Sequence, residues 1–566
     1  MVFKSPPWVP QGLFEIPETL PVGEFALIGR PQPSTDLAPR PVVTCGLSDK
    51  SYTRNEVKQR VDLLSRSLCK ELGWSSNVGS PSDKVVAIFS LNTIEYMILC
   101  WAVHRVNGIC LPLHSSSSVA EITHHMKLAR CSTIFTCWPL LSTCLQAADQ
   151  LALDRHKIYL IDLPHPFLPD DNISSNYRFL NQLVEAGRFL DPVESLSWEP
   201  GQGTKQIAYL CSTSGTAGKQ KLAKITHFNV IANVLQATIY EDVTKKGRSE
   251  TATGVLPMSH AYGLEVAHIM LWRNDRLIVH PQFDMQAMIV AISKYHIQRL
   301  YLVPPIIVAL ISHSALLKKH DISSVTTVVS GAAPLNEKVA RQLQELCPSW
   351  EIIQAYGLTE TSIIATLTSP YDVYLGSSGC LLPHVQARLE GPDGSDIDNY
   401  DQPGEVLIAS PSVFVGYLGD TEAHDHTFDP EGWLRTGDIG VIKTSPKGSE
   451  HLFIVDRLKD MIKVKGSQVA PAEIEAQLLQ HPAIIDAAVI GTADETSGEV
   501  ALAFVVRSPN LMVEASETEL RRSISSLIES NLSSIHWLGD RITFIEKVPR
   551  SPSGKILKKE LRTICA

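Results

Sequence analysis

Along the first part of the chain, the hydrophobic positions alternate between a helical period and short runs of strand length. The stretch SYTRNEVKQRVDLLSRSLCKEL begins at Ser51 and is apolar at helical intervals, and Thr53 precedes Glu56 by the spacing of a capping box. The runs KVVAIFSL and STIFTCW are rich in β-branched residues and have the length of strands. Strands that alternate with helices predict parallel α/β layers.

Three later strands, in QIAYLCSTSG, TTVVSGAAPL and EIIQAYGLTE, each end in a turn that contains glycine. Ligands of open α/β sheets bind at the carboxyl ends of strands, so we expect these turns to converge on one site. Between Gly376 and Val455 glycine and proline are dense, which predicts a β-rich subdomain. Beyond Arg457 the chain becomes rich in Lys and Glu, and a small α+β unit is expected. The predicted class is α/β, with a large N-terminal domain of stacked α/β subdomains over residues 1–456 and a C-terminal domain over residues 457–566.

Charge and cysteine content narrow the classes of function. The chain has 50 Lys and Arg against 60 Asp and Glu, a net charge of −10, and no long basic run, which disfavours nucleic acid and anionic membranes as partners. Its 11 cysteines form no C-x-x-C pair, which favours reduced thiols over a zinc or disulfide scaffold. The start lacks a secretory apolar segment, the end lacks S-K-L, and the longest apolar stretch is broken by polar residues, so we expect a cytoplasmic protein without a membrane span.

One loop, STSGTAGKQKLAKITH (Ser212–His227), follows a strand and is suited to phosphate. Successive backbone N–H groups, with the hydroxyls of Thr213, Ser214 and Thr216, form a nest for phosphate oxygens, and Lys221 adds positive charge. The loop lacks the spacing of a Walker A loop, of a dinucleotide fingerprint and of a nucleophile elbow. On spacing alone, a surface turn explains it equally well.

The loop is followed by further motifs in a fixed order. They are LPMSHAYGL (256–264), VPPIIVAL, SGAAPL (330–335), QAYGLTE (354–360), GWLRTGDIG (432–440), VDRLKDMIKVKGSQVAPAEIE (455–475) and PRSPSGKILKKEL (549–561). Together they resemble the adenylate-forming superfamily, which includes acyl- and aryl-CoA ligases, firefly luciferases and peptide-synthetase adenylation domains, with the greatest similarity to 4-coumarate–CoA-ligase-like enzymes. The resemblance implies that residues 1–456 are an AMP-binding domain with the ATP and acyl sites, and that residues 457–566 are a mobile lid.

The resemblance implies a two-step reaction that uses ATP, Mg²⁺ and coenzyme A. A carboxylate attacks the α-phosphate of ATP to give an acyl-adenylate and pyrophosphate, and a thiolate then displaces AMP. Mg²⁺ would be held by Thr216 and Glu360. The implied ATP and AMP positions are Thr213, Ser214, Gly215, Thr216, Ala217, Gly218, Lys221, Gly331, Ala332, Ala333, Gln354, Ala355, Tyr356, Gly357, Thr359, Glu360, Asp438, Arg457 and Lys555.

Individual roles follow from the same resemblance. Tyr356 would stack on adenine, and Asp438 and Arg457 would bind the ribose. Lys555 would reach the substrate carboxylate and the α-phosphate, and His260 would gate the acyl pocket. Taken without their motifs, these residues have ordinary explanations, namely a carboxylate in a turn, a solvated lysine and a hydrogen-bonded core histidine. The implied acyl pocket comprises His260, Tyr262, Val266 and Ile353.

The second step is assigned to the C-terminal unit. Lys459 matches the pivot of the family hinge, about which the lid would rotate between the half-reactions. After rotation, Lys463 and Gln468 would face the adenylate and serve thioester formation. The implied coenzyme A positions are Lys465, Gly466 and Ser467.

Several positions depart from the family pattern. Ala217, Gln220 and Leu222 replace a Thr, a Pro and a Gly of the phosphate loop, which predicts weaker or slower use of ATP. Ser467 replaces an aromatic residue beside the pantetheine tunnel. Ile353 replaces a Gly at the pocket floor, and its larger side chain predicts a shorter acyl pocket.

The substrate and the acceptor stay open at this stage. No acidic residue takes the place that would bind an α-amino group, which disfavours amino acids. The mostly apolar pocket stretches leave aryl, cinnamoyl-like and medium-chain acids. A small-molecule acid with coenzyme A is the predicted pair, and the alternative acceptor is a separate carrier protein or acyl-accepting enzyme. A luciferase-like oxygenase would share these motifs, but no residue of this chain indicates oxygenase activity. From another class, a non-catalytic nucleotide-binding homologue would explain the altered loop.

Overall fold

The computed structural model describes residues 1–12, 14–31, 40–168, 176–213, 220–245, 248–420, 426–465, 467–494, 496–508, 516–550 and 555–564. Four β-sheets, covered by helices, account for the architecture of this part of the chain. Two of the sheets are large and mostly parallel, one is antiparallel, and one is formed by strands after Arg457. The predicted α/β class is therefore confirmed.

The first large sheet has seven strands in the order β10-β9-β5-β4-β6-β7-β8. Its strands are parallel except for β10, which pairs antiparallel with β9. The elements of this part of the chain are β1 (Phe3–Lys4), α1 (Val22–Ile28), β2 (Pro41–Cys45), β3 (Ser51–Thr53), α2 (Arg54–Leu72), β4 (Val85–Phe89), α3 (Tyr96–Arg105), β5 (Ile109–Leu113), α4 (Val119–Leu128), β6 (Ile134–Thr136), α5 (Leu141–Leu151), β7 (Ile158–Leu160), β8 (Arg178–Phe179), α6 (Leu180–Gly187), β9 (Ile207–Thr213) and β10 (Lys221–Thr226).

The second large sheet has nine strands in the order β17-β16-β15-β14-β13-β11-β12-β2-β3. Its centre, from β15 to β2, is parallel, and antiparallel strands close both edges. The new elements are α7 (His227–Lys245), β11 (Thr251–Gly254), α8 (Ala261–Trp272), β12 (Arg276–Val279), α9 (Met285–Tyr295), β13 (Arg299–Leu302), α10 (Pro304–Ser312), α11 (Ser314–Leu317), β14 (Thr327–Ser330), α12 (Glu337–Leu346), β15 (Glu351–Tyr356), β16 (Thr366–Leu367) and β17 (Cys380–Leu381).

The two remaining sheets are smaller. An antiparallel sheet in the order β1-β18-β19-β20-β21 occupies the predicted β-rich region. Beyond it, β23-β22-β25-β24 form a further sheet, and β26 pairs parallel with β25. The elements are β18 (Gln386–Glu390), β19 (Gly404–Ala409), β20 (Leu434–Thr444), β21 (Glu450–Arg457), β22 (Ile462–Val464), β23 (Ser467–Val469), α13 (Pro471–Leu478), β24 (Ile484–Asp494), β25 (Gly498–Arg507), α14 (Glu517–Asn531), β26 (Ile542–Phe544) and α15 (Lys558–Ile564).

Local sequence signals set several of these elements. Helix α2 begins at the predicted capping box, in which the Thr53 side chain accepts from the backbone N–H of Glu56 and the Glu56 carboxylate accepts from that of Thr53. Such a cap satisfies N–H groups that the first turn leaves without a helical partner. The strands predicted from KVVAIFSL, STIFTCW and the three Gly-ended runs are β4, β6, β9, β14 and β15.

A buried contact joins the two large sheets. His268 on α8 accepts from the indole N–H of Trp101 on α3, at 3.3 Å, and lies 3.1 Å from the hydroxyl of Tyr209 on β9. Both partners meet His268 at Nε2, while Nδ1 lies 2.8 Å from the carbonyl oxygen of Leu264. Burial lowers the pKa of His268 to about 4, so the ring is neutral and bonds in one tautomer. The contact therefore fixes α8 of one sheet against the other sheet.

A buried ion network stabilises the nine-stranded sheet from within. Arg299 on β13 is fully buried and donates to Glu241 on α7 and to Glu250, each at 2.8 Å. Arg273, at the end of α8, pairs with the same Glu241. Burial acts to raise the pKa of Glu241, but Arg299, Lys245 and Arg273 outweigh it and hold that pKa well below its ordinary value. Loss of one partner would leave an unpaired buried charge, so the network requires all of its members.

The ten cysteines in the described part of the chain are all free thiols. Within the same residues, no helix has both the length and the apolar character needed to cross a bilayer.

Two of the residues that depart from the family pattern of the phosphate loop, Gln220 and Leu222, make specific contacts in the structure. Leu222 on β10 pairs with Ser212 on β9, is fully buried and packs in the core of the seven-stranded sheet. Gln220 donates from Nε2 to the Glu121 carboxylate on α4 at 2.7 Å. A Gly and a Pro at these positions would supply neither contact.

We therefore expect Leu222→Gly to destabilise the protein. The lost packing and the added backbone freedom should together cost about 3–5 kcal/mol, because the strand core cannot fully collapse onto the cavity. Thermal and urea unfolding midpoints measure the effect. Lys224→Gly, half-buried on the same strand, is the matched control and should shift the midpoints far less. Equal shifts for the two variants would contradict a core role for Leu222.

Candidate active site

Asp438 and Arg457 are paired residues on the neighbouring antiparallel strands β20 and β21. Arg457 Nε lies 3.3 Å from Asp438 Oδ1, and the hydroxyl of Tyr356, at the end of β15, donates to Asp438 Oδ2 at 2.9 Å. Burial raises the pKa of Asp438 above its ordinary value, although Arg457 and Tyr356 act in the opposite direction. The carboxylate is thus desolvated and oriented, as recognition of two neighbouring hydroxyls requires.

Two loops follow the carboxyl ends of the adjacent parallel strands β14 and β15. A Cβ on Gly331 would lie 3.0 Å from the ring of Tyr262, and a Cβ on Gly357 would lie 1.4 Å from a backbone carbonyl oxygen. Gln354 accepts at Oε1 from the backbone N–H of Leu335 at 3.3 Å, which links the loops. Close backbone packing therefore fixes both loops. The other residues predicted to contact the nucleotide in or beside these loops are Ala332, Ala333, Ala355 and Thr359.

A segment that we call the bridging segment, Phe414–Leu418, connects the ends of the two large sheets. Its backbone pairs with β10, through Leu418 N–H to Leu222 O at 2.8 Å, and Phe414 N–H donates to the carbonyl of Glu360 at 2.9 Å. Tyr417 donates its hydroxyl to Glu360 Oε1 at 2.6 Å. Glu360, which follows β15, is thereby brought to the end of β9, as the expected convergence of the turns requires.

The phosphate end of the site is partly described. Thr213, the last residue of β9, has a buried hydroxyl that interacts with the side chain of Tyr417. Lys221 pairs with Asp420 at 2.8 Å, and its ammonium lies 5.0 Å from the centre of the Tyr417 ring. The predicted loop residues that lie outside the described residues are Ser214, Gly215, Thr216, Ala217 and Gly218.

The residues present fit a magnesium ion held partly by substrate. Glu360 uses one carboxylate oxygen for Tyr417, which leaves acceptor sites for a cation. No group of three or more His, Cys, Asp or Glu side chains suited to a metal occurs in the described ranges. Mg²⁺ is commonly held by one or two carboxylates with phosphate oxygens and waters, so a single carboxylate is sufficient here.

Lys555 lies within electrostatic range of both Asp438 and His260. Its ammonium lowers the pKa of each of these two groups. Burial, together with Arg457 and Lys459, lowers the pKa of Lys555 to about 8. The positive charge is therefore poorly solvated and would be stabilised by an anion.

His260 caps α8 and borders a cavity of about 210 Å³. Its Nδ1 accepts from the backbone N–H of Tyr262 at 3.2 Å, and burial lowers its pKa to about 4. The cavity is lined largely by apolar groups. Of the predicted pocket residues, His260 and Tyr262 line it, whereas Val266 and Ile353 are buried in the adjoining core and are not among its lining residues.

The residues predicted for the second step lie on a surface hairpin. Lys463 on β22 pairs with Gln468 on β23, and both are exposed, as are Lys465 and Ser467. Gly466 lies outside the described residues. This hairpin is not in the Asp438–Lys555 site in the observed arrangement.

The segment predicted to be a hinge joins the C-terminal sheet to the rest of the chain. Lys459 follows Arg457 in a short 3₁₀ turn, and burial lowers its pKa. Two hydrogen bonds join the C-terminal unit to the preceding part of the chain. Ala472 N–H donates to Asp456 Oδ2 at 3.0 Å, and Lys338 Nζ donates to the Leu479 carbonyl at 2.8 Å.

The sequence does not predict Tyr417, Asp420 or His114 as residues of the site. Tyr417 donates a hydrogen bond to Glu360, and Asp420 forms an ion pair with Lys221. His114, which follows β5, lines the cavity beside His260. For Tyr417 and Asp420 the sequence offers only an aromatic residue and an acidic residue in a stretch that contains glycine. His114 directly follows a strand, and no motif around it indicates a function.

Comparison with known proteins gives the family. The family model described as AMP-binding enzyme matches residues 36–418, and the AMP-binding enzyme C-terminal domain matches residues 473–555. The chain is 51% identical over 564 residues to acyl-CoA ligase easD of Emericella nidulans, with 100% of both chains covered. It is 46% identical over 563 residues to acyl-CoA ligase gloD of Glarea lozoyensis, with 99% of each covered.

Solved structures share the fold. Amide bond synthetase McbA from Marinactinospora thermotolerans matches with a TM-score of 0.78 at 23% identity, over 96% of this chain and 99% of the other. Anthranilate CoA ligase AuaEII, in complex with anthranoyl-AMP, matches with a TM-score of 0.81 at 21% identity, over 97% and 98%. The resemblance inferred from the motifs is confirmed, and this chain is an enzyme that belongs to the AMP-binding enzyme family of adenylate-forming ligases.

Proposed function

We propose that the protein activates a carboxylic acid with ATP and transfers the acyl group to coenzyme A. The observation that carries this proposal is the position of Lys555, which acts electrostatically on Asp438 and on His260 at the cavity. One ammonium group within electrostatic range both of the carboxylate proposed to bind ribose and of a histidine at the cavity is suited to the α-phosphate and the attacking carboxylate. The names of the full-length relatives, acyl-CoA ligases, support the same activity.

In the first step each residue has an electrostatic or positioning task. Asp438 and Arg457 would bind the ribose and fix the nucleotide, and Tyr356 would stack on adenine while it keeps Asp438 oriented. Lys555 would offset the negative charge that develops as the carboxylate oxygen bonds to phosphorus and pyrophosphate leaves. Glu360, with Thr216, would hold Mg²⁺, which supplies charge neutralisation at the phosphates when bound.

In the second step, we assign residues 457–566 to a lid that rotates about Lys459. Lys463 and Gln468 are paired and exposed in the observed arrangement, and so they would reach the adenylate after such a rotation. The hydrogen bonds of Ala472 and Lys338 would break in that motion, and water can replace both. The hairpin with Lys465, Gly466 and Ser467 would then meet coenzyme A.

The chemistry of the acid follows from the cavity. Its mostly apolar lining and volume of about 210 Å³ suit aryl, cinnamoyl-like or medium-chain acids. Coenzyme A is the proposed acceptor, and a carrier protein is the alternative. The free cysteines of the described chain are compatible with the reducing cytoplasm, where we place the activity.

A panel of aryl, cinnamoyl-like and medium-chain acids, assayed for pyrophosphate release with and without coenzyme A, tests the proposal. We expect release with at least one acid, and an acyl-CoA product when the thiol is present. Release without thioester formation would favour another acceptor. Absence of release with every acid would show that the proposed activation is wrong.

The two-step assignment predicts opposite defects for two lysines. Lys555→Ala should lower adenylate formation from acid and ATP by ~100- to 1000-fold, because a charged group that stabilises the transition state is removed. The same variant should largely retain thioester formation from preformed acyl-adenylate and coenzyme A. Lys463→Ala should show the reverse pattern. Single-turnover assays of each half-reaction measure both.

The control for these variants is Lys559→Ala, which removes an exposed lysine of α15. It should leave both half-reactions unchanged. Equal loss of one half-reaction in Lys555→Ala and Lys463→Ala would rule out alternation of the lid.

The pKa of Lys555 predicts a basic limit to activity. Because that pKa is lowered to about 8, the ammonium of the free enzyme loses its proton, and its function, as the pH rises through about 8. The kcat/KM for ATP in adenylate formation should fall over this range. In Lys555→Arg the guanidinium keeps its charge, so the limit should move to higher pH even if the rate is lower. An unchanged pH profile in the Arg variant would assign the limit to another group.

A further inference from the structure

The acyl cavity contains a second imidazole besides that of His260. His114 follows β5 of the seven-stranded sheet, whereas His260 precedes α8 on the nine-stranded sheet, and both line the cavity. The two rings are close enough that His114 lowers the pKa of His260. The cavity is therefore bordered by one histidine from each large sheet.

The hydrogen bonds of His114 fix its tautomer. The backbone N–H of Ser116 lies 3.1 Å from His114 Nδ1, and the Ser116 hydroxyl lies 2.8 Å from the same nitrogen. Because a backbone N–H can only donate, Nδ1 must be the acceptor, and the neutral ring carries its proton on Nε2. Burial lowers the pKa of His114, against a weaker opposite effect of Glu121, and so keeps the ring neutral.

The Nε2–H group of His114 is buried and has no hydrogen-bond partner in the part of the chain that the structure describes. A buried donor without a partner is unfavourable, and a ligand oxygen would remove that penalty. The lining residues also include no Lys, Arg, Asp or Glu. A second carboxylate on the substrate would meet no counter-ion among them, whereas a neutral oxygen needs none.

We propose that His114 is a specificity-determining residue that donates from Nε2 to a neutral oxygen on the acyl part of the substrate. The acid would then carry a hydroxyl or keto group in addition to the carboxyl group that reacts. The apolar lining, including Leu256, Val303 and Ile306, would contact the hydrocarbon part of the same acid. This inference rests on the proposed activation of a carboxylic acid and adds the chemical class of that acid.

The test uses acids that differ by one oxygen. Benzoate is compared with the hydroxybenzoates, cinnamate with the hydroxycinnamates, and octanoate with its hydroxy and keto derivatives, by ATP–pyrophosphate exchange. For the wild-type protein, kcat/KM for one oxygenated isomer should exceed that of its parent acid by about 10- to 100-fold, since a site built to donate a hydrogen bond discriminates against an analogue without the acceptor.

Variants of His114 separate the hydrogen bond from the volume of the side chain. His114→Phe and His114→Leu lack a donor and should abolish the preference, so that kcat/KM for the oxygenated acid falls to about that of its parent acid in the same variant. His114→Gln retains an N–H donor and should keep part of the preference. Ser117→Ala, a neighbour that is not among the cavity-lining residues, is the control and should keep all of it. Melting temperatures verify that each variant is folded.

The outcomes distinguish this inference from the proposed function. Equal kcat/KM for every parent and oxygenated acid, or a preference that persists in both His114→Phe and His114→Leu, would overturn the role of His114 while the ligase activity stands. A preference for dicarboxylic acids over hydroxy and keto acids would overturn the neutral oxygen. No exchange with any acid would overturn the proposed function and this inference together.

Discussion

The candidate site depends on contact between two sheets that have no strand in common. In the seven-stranded sheet β9 ends at Thr213, and in the nine-stranded sheet β15 ends at Tyr356. The buried ring of His268 holds the sheets together from within, and the bridging segment joins their carboxyl ends through Glu360. Together with the shared hydrophobic core, these contacts bring the carboxyl ends of β9 and β15 to one site. The geometry of the site is thus a property of the interface between the sheets.

Desolvation is the common electrostatic feature of the candidate site. Burial raises the pKa of Asp438 and lowers those of Lys555 and His260, so it favours the neutral form of each group. A triphosphate brings negative charge into the same space and would stabilise the ammonium form of Lys555. The lysine would therefore be most fully charged with the nucleotide bound, which would couple its charge to occupancy of the site.

The sequence predicted those features that depend on residues close to one another along the chain. The capping box of α2 and the strands of β-branched residues depend on local patterns. The family motifs assigned Asp438 and Arg457 to one ribose, and these residues are partners on adjacent strands. The contacts of Tyr417 with Glu360 and of Gln220 with Glu121 join residues that are 57 and 99 positions apart, and no periodicity reports them. Leu222 was treated as a departure in a loop, although its burial in β10 makes it a core residue. Ile353 is buried in the core and does not line the cavity, and this too depends on tertiary packing that the sequence does not report.

The hydrogen bonds of the two cavity histidines limit the acid–base chemistry available there. In His114 and in His260 the Nδ1 lone pair is engaged by a backbone N–H, and the neutral ring has its proton on Nε2. Neither ring therefore presents a lone pair to the cavity, and neither is arranged as a general base. A thiol that attacks an acyl-adenylate beside these rings would need to lose its proton before it arrives or to a group outside the cavity. The pH dependence of thioester formation would then follow the ionisation of the thiol itself, and the two imidazoles would serve the acyl group alone.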